Sequence, residues 1–212
     1  MSHGLVDPGD AQQARDADLV IAADGGADHL ARWGIEPHLV VGDLDSLGPE
    51  QRERLGPDRV ERWPVEKDKT DTELAIDRAI ARGADEIVLL GALGGPRIDH
   101  AVANILTLAF ARRGTVSLRL AYGPLSMRAL FGGQRAVLGG AEGELVTLLA
   151  IGGDAVGVTT DGLRYPLRGE TLALGSSRGV SNEVARVGAS VSLRSGTLLV
   201  VEGGALEPQA QA

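Results

Sequence analysis

Val40-Val41-Gly42-Asp43-Leu44-Asp45-Ser46 sets a β-branched pair against a glycine, two carboxylates one residue apart and a hydroxyl. An apolar strand ending at Val41 delivers Asp43 and Asp45 to the C-terminal edge of a sheet, where open α/β folds bind ligands. In extended chain, alternate side chains point the same way, so both carboxylates could face one ligand. Two adjacent anions repel unless a cation sits between them or one takes up a proton. A hard, oxygen-seeking ion such as Mg2+ meets that need, and it commonly arrives carrying phosphates. An Asp-rich turn that caps the next helix is the competing reading.

Three further stretches could do chemistry. Asp24-Gly25-Gly26 follows an apolar run and opens a short helix, a junction suited to phosphate or simply a tight turn. Lys67-Asp68-Lys69-Thr70-Asp71 crowds charges of both signs. Its Lys67 and Lys69 are the only lysines among 21 basic residues, and lysine is a compact point charge on a flexible stem. Thr70 and Glu73 have the spacing of a capping box, so a helix is expected to start at Asp71. Helix capping accounts for Asp71, but not for Asp68 and the two lysines beside it. The third stretch, Gly91 to His100, combines glycines that admit close backbone approach with Arg97, whose planar fork can grip phosphate. Asp99 there opens a helix, and an ordinary N-cap is the alternative for it.

The elements that must position these residues alternate through the first half. Leu19–Ala23, Leu39–Val41, Val60–Pro64, Glu86–Leu90 and Val116–Ala121 read as strands. Residues 28–33, 71–82 and about 99–113 read as helices, the last apolar on several sides and therefore expected to be well buried. His29 and Trp33, four apart, are read as packing. Residues 48–55 suggest a helical turn, and residues 1–18 a ragged start. Strand–helix alternation implies a parallel sheet covered by helices.

Beyond Tyr122-Gly123-Pro124, short alternating runs recur: 128–131, 135–138, 144–150, 155–159, 171–174, 183–187, 190–193 and 197–201. Glycine pairs punctuate them, the signature of an antiparallel sandwich or barrel. The expected organisation is an α/β domain over 1–122, a β-rich domain over 127–202 and a flexible tail over 203–212.

Composition bounds the function. The 212 residues carry a net charge of −8 and no cysteine. Nucleic acid and anionic membranes are disfavoured as main partners, and disulfides, thiolate zinc sites and a cysteine nucleophile are excluded. The four histidines lack metal-ligand spacing. A cytoplasmic protein without membrane spans is expected.

Taken in order, Asp24-Gly25-Gly26, Gly42-Asp43-Leu44-Asp45-Ser46, Lys67-Asp68-Lys69-Thr70-Asp71 and Gly94-Gly95-Pro96-Arg97-Ile98-Asp99-His100 with Asn104 resemble the thiamine pyrophosphokinase family. In the second half, Gly162 to Leu167 and Ser177-Arg178-Gly179-Val180-Ser181-Asn182-Glu183 agree with it. The resemblance implies an α/β nucleotide-binding domain followed by a β-rich domain, and a homodimer with its active site between subunits. It implies transfer of the terminal pyrophosphate of ATP to the hydroxyl of thiamine, releasing AMP.

Under that resemblance Asp43, Asp45 and Asp71 are the expected Mg2+ ligands, with Asp24 and Asp68 in reserve. Asp24, Gly25, Gly26, Ser46, Lys67, Asp68, Lys69 and Thr70 face the nucleotide, Lys67, Lys69 and Arg97 contact phosphate, and Arg178 contacts it more weakly. Asp99 holds the thiamine hydroxyl, with Asp71 and Arg97 beside it in catalysis. Ser181 and Asn182 offer hydrogen bonds to the aminopyrimidine, and Tyr165 a face to stack on. Two departures stand out: the family's extra first strand has no counterpart in the eighteen residues before Leu19, and Pro96 stiffens the glycine-rich turn. An aspartyl-nucleophile phosphatase and a catalytically impaired nucleotide-binding protein are the alternatives.

Overall fold

The computed structural model describes residues 2–45, 47–48, 53–95, 97–110 and 116–203. The chain divides into two compact units, Met1–Thr107 with Ala111–Gly123, and Leu108–Phe110 with Pro124–Ala212.

In the first unit, α1 (Asp10–Arg15), β1 (Ile21–Ala23), α2 (Gly26–Arg32), β2 (Leu39–Gly42) and β3 (Val60–Arg62) are followed by α3 (Asp71–Ala81), β4 (Glu86–Leu89), α4 (Ile98–Thr107) and β5 (Ser117–Tyr122). Strands β1, β2 and β3 pair in parallel, with Ile21 opposite Leu39 and Val40 opposite Val60. Strands β4 and β5 pair in parallel as well. Every residue of β1 and β2 is buried, as continuous apolar runs require when helices cover both faces of a parallel sheet. Helix α3 buries Leu74, Ala75, Ile76 and Ala79. Ala22, Leu30, Val40, Leu44, Leu90 and Ala121 belong to one core.

Two expectations change here. The start of the chain is ordered, not ragged. The fully buried Asp10 carboxylate accepts the N–H groups of Asp7 at 2.9 Å and Gly123 at 2.8 Å, which fixes α1. Helix α4 is not buried all round. It buries Ala101 and Asn104 but leaves Ile98, Val102 and Leu106 exposed at 74%, 50% and 52%. Those three lie at i, i+4 and i+8, one stripe of the helix, so its many apolar residues form two faces with different surroundings. Part of the helical turn read over 48–55, Pro96 and nearly all of the tail lie outside the described residues.

The second unit holds β6 (Leu125–Phe131), β7 (Arg135–Val137), β8 (Leu145–Ala150), β9 (Ala155–Asp161), β10 (Arg168–Leu172), β11 (Asn182–Glu183), β12 (Ser190–Ser192) and β13 (Thr197–Glu202). They run antiparallel in two layers, ordered β11-β8-β13-β6 and β10-β9-β12-β7. Leu148, Val158, Leu172, Val191, Leu198 and Val200 from both layers share one core. The alternation read from the sequence is the inward face of each strand. The run over 183–187 is shorter than expected: β11 ends at Glu183, and Val187 is 78% exposed.

Candidate functional site

Strands β1 and β2 are parallel neighbours with Ala23 opposite Val41, so the residues after each strand emerge side by side. Asp24 follows β1 with φ +43°, its N–H donating to the Val41 carbonyl at 2.8 Å. Asp43 follows β2. The backbone then turns: Leu44 has φ +67°, and the Asp45 N–H donates to Asp43 Oδ1 at 3.1 Å. The two carboxylates therefore do not converge through the pleat of an extended strand, as expected from their spacing. A left-handed residue between them and an Asx-type turn bring them together. Asp24, Asp43 and Asp45 can each offer an oxygen within 4.8 Å of the other two.

Asp71 reaches the same place from the N-terminus of α3. Gly42 shows how closely: a Cβ built there would lie 3.1 Å from Asp24 Cβ and 3.3 Å from Asp71 Cγ. With φ at +152° as well, the position admits no side chain without displacing an acid. Burial pushes the Asp71 carboxyl above its ordinary range. The Lys67 ammonium opposes this, while the negative charges of Asp24 and Asp43 add to it. Lys67 Nζ lies 3.1 Å from Asp71 Oδ1 and donates to the Pro64 carbonyl at 3.0 Å. That buried oxygen nonetheless has no donor aligned on it.

The remaining residues of this unit fall into several local arrangements. Lys69 is ion-paired with Asp77 and, at 3.8 Å, with Glu73. Asp68 is exposed. Thr70 caps α3, its hydroxyl oxygen accepting the Glu73 N–H at 3.2 Å. Gly25 and Gly26 begin α2, with His3 packed so closely that a Cβ on Gly25 would meet its Nδ1 at 2.1 Å. Ser46 lies outside the described residues. Arg97 and Asp99 form an exposed two-pronged ion pair at 3.0 and 2.6 Å. The guanidinium pulls the Asp99 carboxyl down to about 2, so Asp99 is a weak base while that pair stands. Asp99 sits in the first turn of α4 rather than ahead of it. Buried Asn104 donates to the Ala92 carbonyl at 2.9 Å and ties the glycine-rich loop to α4.

In the second unit, buried Asn182 is committed to the backbone. Its oxygen accepts from the N–H groups of Tyr165 and Glu183, and its nitrogen donates to the Tyr165 carbonyl at 2.8 Å. This holds Tyr165 with its ring half exposed and the Arg164 guanidinium 5.7 Å from the ring centre. Ser181 has φ +55°, and its N–H donates to Thr147 Oγ1. Arg178 pairs with Glu170 at 3.3 Å.

The group Asp24, Asp43 and Asp45, with Asp71 adjoining, suits a hard divalent cation. It offers only carboxylate oxygens, and one buried oxygen lacks a directed donor. Asp24, expected only as a reserve ligand, stands with Asp43 and Asp45. The place of Gly42 between a β-branched pair and an acid was visible in the sequence, but not that Asp24 and Asp71 meet over it.

Comparison with known proteins gives matches over both units. Residues 11–119 match the family model described as thiamin pyrophosphokinase, catalytic domain, and residues 136–198 match thiamin pyrophosphokinase, vitamin B1 binding domain. The chain is 28% identical over 185 residues to thiamine pyrophosphokinase of Bacillus subtilis, covering 86% of each chain. It is 28% identical over 193 residues to thiamine pyrophosphokinase 1 of Oryza sativa, covering 79% of this chain and 72% of that one. The crystal structure of the Bacillus subtilis enzyme superposes with a TM-score of 0.82 at 26% identity, over 97% of this chain and 98% of that one.

Proposed function

The chain belongs to the thiamin pyrophosphokinase family, and from that premise we propose how its residues divide the work of the reaction. The reaction moves the pyrophosphoryl group of ATP to the hydroxyl of thiamine, giving thiamine diphosphate and AMP. The first unit takes the nucleotide, and the β-rich unit takes the vitamin and contributes to a homodimer. The match of a catalytic-domain model to the first unit and a vitamin-binding model to the second supports that division.

Asp43, Asp45 and Asp71, joined by Asp24, hold Mg2+. A divalent cation held there would supply positive charge to offset that of the polyphosphate. The observation that carries this reading is the meeting of three carboxylates just after β1 and β2, Asp24, Asp43 and Asp45, with Asp71 at the start of α3 adjoining across Gly42. Around them the chain supplies positive charge on flexible stems. Lys67, now beside Asp71, would be within the same site to contact a phosphate oxygen. Lys69, Arg97 and, more weakly, Arg178 add contacts to phosphate, and Gly25, Gly26, Ser46, Asp68 and Thr70 are assigned to the nucleotide. Arg97 leaving Asp99 for phosphate would restore Asp99 as an acceptor for the thiamine hydroxyl, so both residues act in the same step. The cationic thiazolium favours the acidic surroundings. Tyr165 stacks on the aminopyrimidine, Ser181 bonds to it, and Asn182 holds the loop that presents both. By the family resemblance, Tyr165 comes from the partner subunit. The exposed apolar stripe Ile98, Val102 and Leu106 supports a dimer. A cytoplasmic location belongs to the same proposal, and no helix among the described residues is long and apolar enough to cross a membrane.

The deciding experiment incubates the protein with ATP, Mg2+ and thiamine and separates the products. AMP and thiamine diphosphate appear together, only when all three are present, and Asp45→Asn lowers the rate on the order of a hundredfold or more. ADP with thiamine monophosphate would place the attack on the γ-phosphorus and overturn the assignment. The two alternatives, an aspartyl-nucleophile phosphatase and an impaired binder, are not favoured, because neither gives the vitamin-binding half a role.

A further inference from the structure

Among the described residues, three other than glycine have a positive φ, and two of them, Asp24 and Leu44, stand in the acidic site. The third is Ser181, at +55° in the second unit. A left-handed conformation crowds the Cβ of any residue that has one, and it persists where the surroundings impose it. Here the surroundings are those of β8. Strand β11 pairs with β8 through Asn182 opposite Val146 and Glu183 opposite Leu145. One residue further, the same antiparallel register sets Ser181 opposite Thr147, but the chain leaves the ladder there. The Ser181 N–H donates to Thr147 Oγ1 at 3.1 Å. Just before it, the Gly179 carbonyl accepts the Leu148 N–H at 2.9 Å, and a Cβ on Gly179 would lie 2.2 Å from the Leu148 carbonyl oxygen. The segment is thus pinned to β8 at two successive residues, by the backbone of Leu148 and by the side chain of Thr147.

Packing does not account for a hydroxyl at position 147. Val146, Leu148 and Ala150 turn into the core of the unit, while Thr147 lies on the other face of β8 and is half-buried. Valine would suit the strand there as well as threonine does. What threonine adds is an oxygen whose direction the β-branch restricts. On the far side of Ser181, Asn182 is already committed to Tyr165 and Glu183. Thr147 before the turn and Asn182 after it therefore fix Ser181 from both sides.

We infer that Thr147 is a positioning residue for the vitamin: its hydroxyl holds the Ser181 backbone left-handed and so aims the Ser181 side chain at the aminopyrimidine. The inference rests on the assignment of Ser181 to thiamine made above. Thr147 itself touches no substrate. Without the hydroxyl, the Ser181 N–H turns to water, since the residue is exposed, and the fold loses little. The backbone is then free to relax toward the right-handed and extended conformations that an L-residue prefers. Only the fraction of molecules that still present Ser181 in the binding geometry takes the vitamin well, and apparent affinity falls by that fraction.

The test measures kcat, the KM for each substrate and the melting temperature of the full chain and of Thr147→Val, Thr147→Ser, Ser181→Ala and the double variant Thr147→Val with Ser181→Ala. Thr147→Val is expected to raise the KM for thiamine about three- to tenfold, with kcat and the KM for ATP as in the parent and Tm within about 2 °C. Thr147→Ser, which keeps the oxygen, should stay near the parent. In the Ser181→Ala background the Thr147→Val change should have no further effect, because the hydroxyl that Thr147 aims is gone. A thiamine KM raised by Ser181→Ala but not by Thr147→Val would overturn this inference and leave the vitamin site standing. Two effects that multiply in the double variant, or a Thr147→Ser protein as impaired as Thr147→Val, would overturn it as well. A Ser181→Ala protein with the parent's thiamine KM would remove Ser181 from the vitamin site and this inference with it.

Discussion

Asp71 carries a conflict between folding and function. Its carboxyl is partly buried, close to two other acids, and held above its ordinary value of 3.8. A raised folded-state pKa means that the protonated form favours the fold. That contribution is complete below the unfolded value and is lost as pH rises through the folded value. At neutral pH the metal-free protein therefore bears an unfavourable charge at this site. Asp71→Asn should melt higher than the parent at pH 7 without metal, and the two should converge as pH falls below the ordinary carboxylate range. Added Mg2+ should raise the parent's melting temperature and close or reverse the gap, while turnover of the variant stays low. Calorimetry across pH, with and without the ion, measures all of this. A variant that melts lower than the parent at neutral pH would show that Asp71 is stabilised as an anion by Lys67 after all.

Helix α3 connects the residue to the sheet. Its first turn does two jobs: Thr70 satisfies the Glu73 N–H, and Asp71 reaches the acids at the ends of β1 and β2. Removing the cap by Thr70→Ala should cost about 1 kcal/mol, a fall in Tm of about 2–4 °C for a domain of this size. Thermal melts give that figure, and the KM for ATP gives the second. A KM that rises well beyond the change expected from stability assigns Thr70 to the nucleotide as well as to the helix. An unchanged KM confines it to capping. The same element explains why the lysines cluster. Lys67 and Lys69 precede a helix N-terminus, where they would be unfavourable alone, and each is offset by an acid one turn on, at Asp71 and Glu73.

At the scale of the molecule, the surface of α4 is the feature a single copy leaves unexplained. Ile98, Val102 and Leu106 form an exposed stripe, and stripes of that kind mark interaction surfaces when they exceed scattered exposure. The dimer predicts that light scattering gives twice the chain mass for the parent, and that Val102→Glu with Leu106→Glu gives the chain mass while the melting transition survives. If the vitamin is held by the partner, the monomeric variant also loses thiamine turnover. A parent that is monomeric at micromolar concentration would remove the shared site from the proposal. The charge of −8 fits the same reading, since an acidic protein that binds a polyphosphate needs a cation and a few placed bases at one spot, not a basic surface.

The strands of both halves, the cap at Thr70 and the acidic stretches were legible in the chain itself, because each depends on local pattern. Alternation of apolar residues reports a strand with one buried face, and continuous runs report one buried on both. The spacing of Thr70 and Glu73 reports a helix start. The tertiary structure decided how the acids meet. Asp24 stands with Asp43 and Asp45 because β1 and β2 pair with Ala23 opposite Val41, a register that neither strand carries alone. Leu44 turns the chain where spacing suggested a straight one. The exposed stripe on α4 was likewise beyond a local reading. Burial and pairing are properties of what lies across from a residue, and the chain brings those neighbours from far along its length.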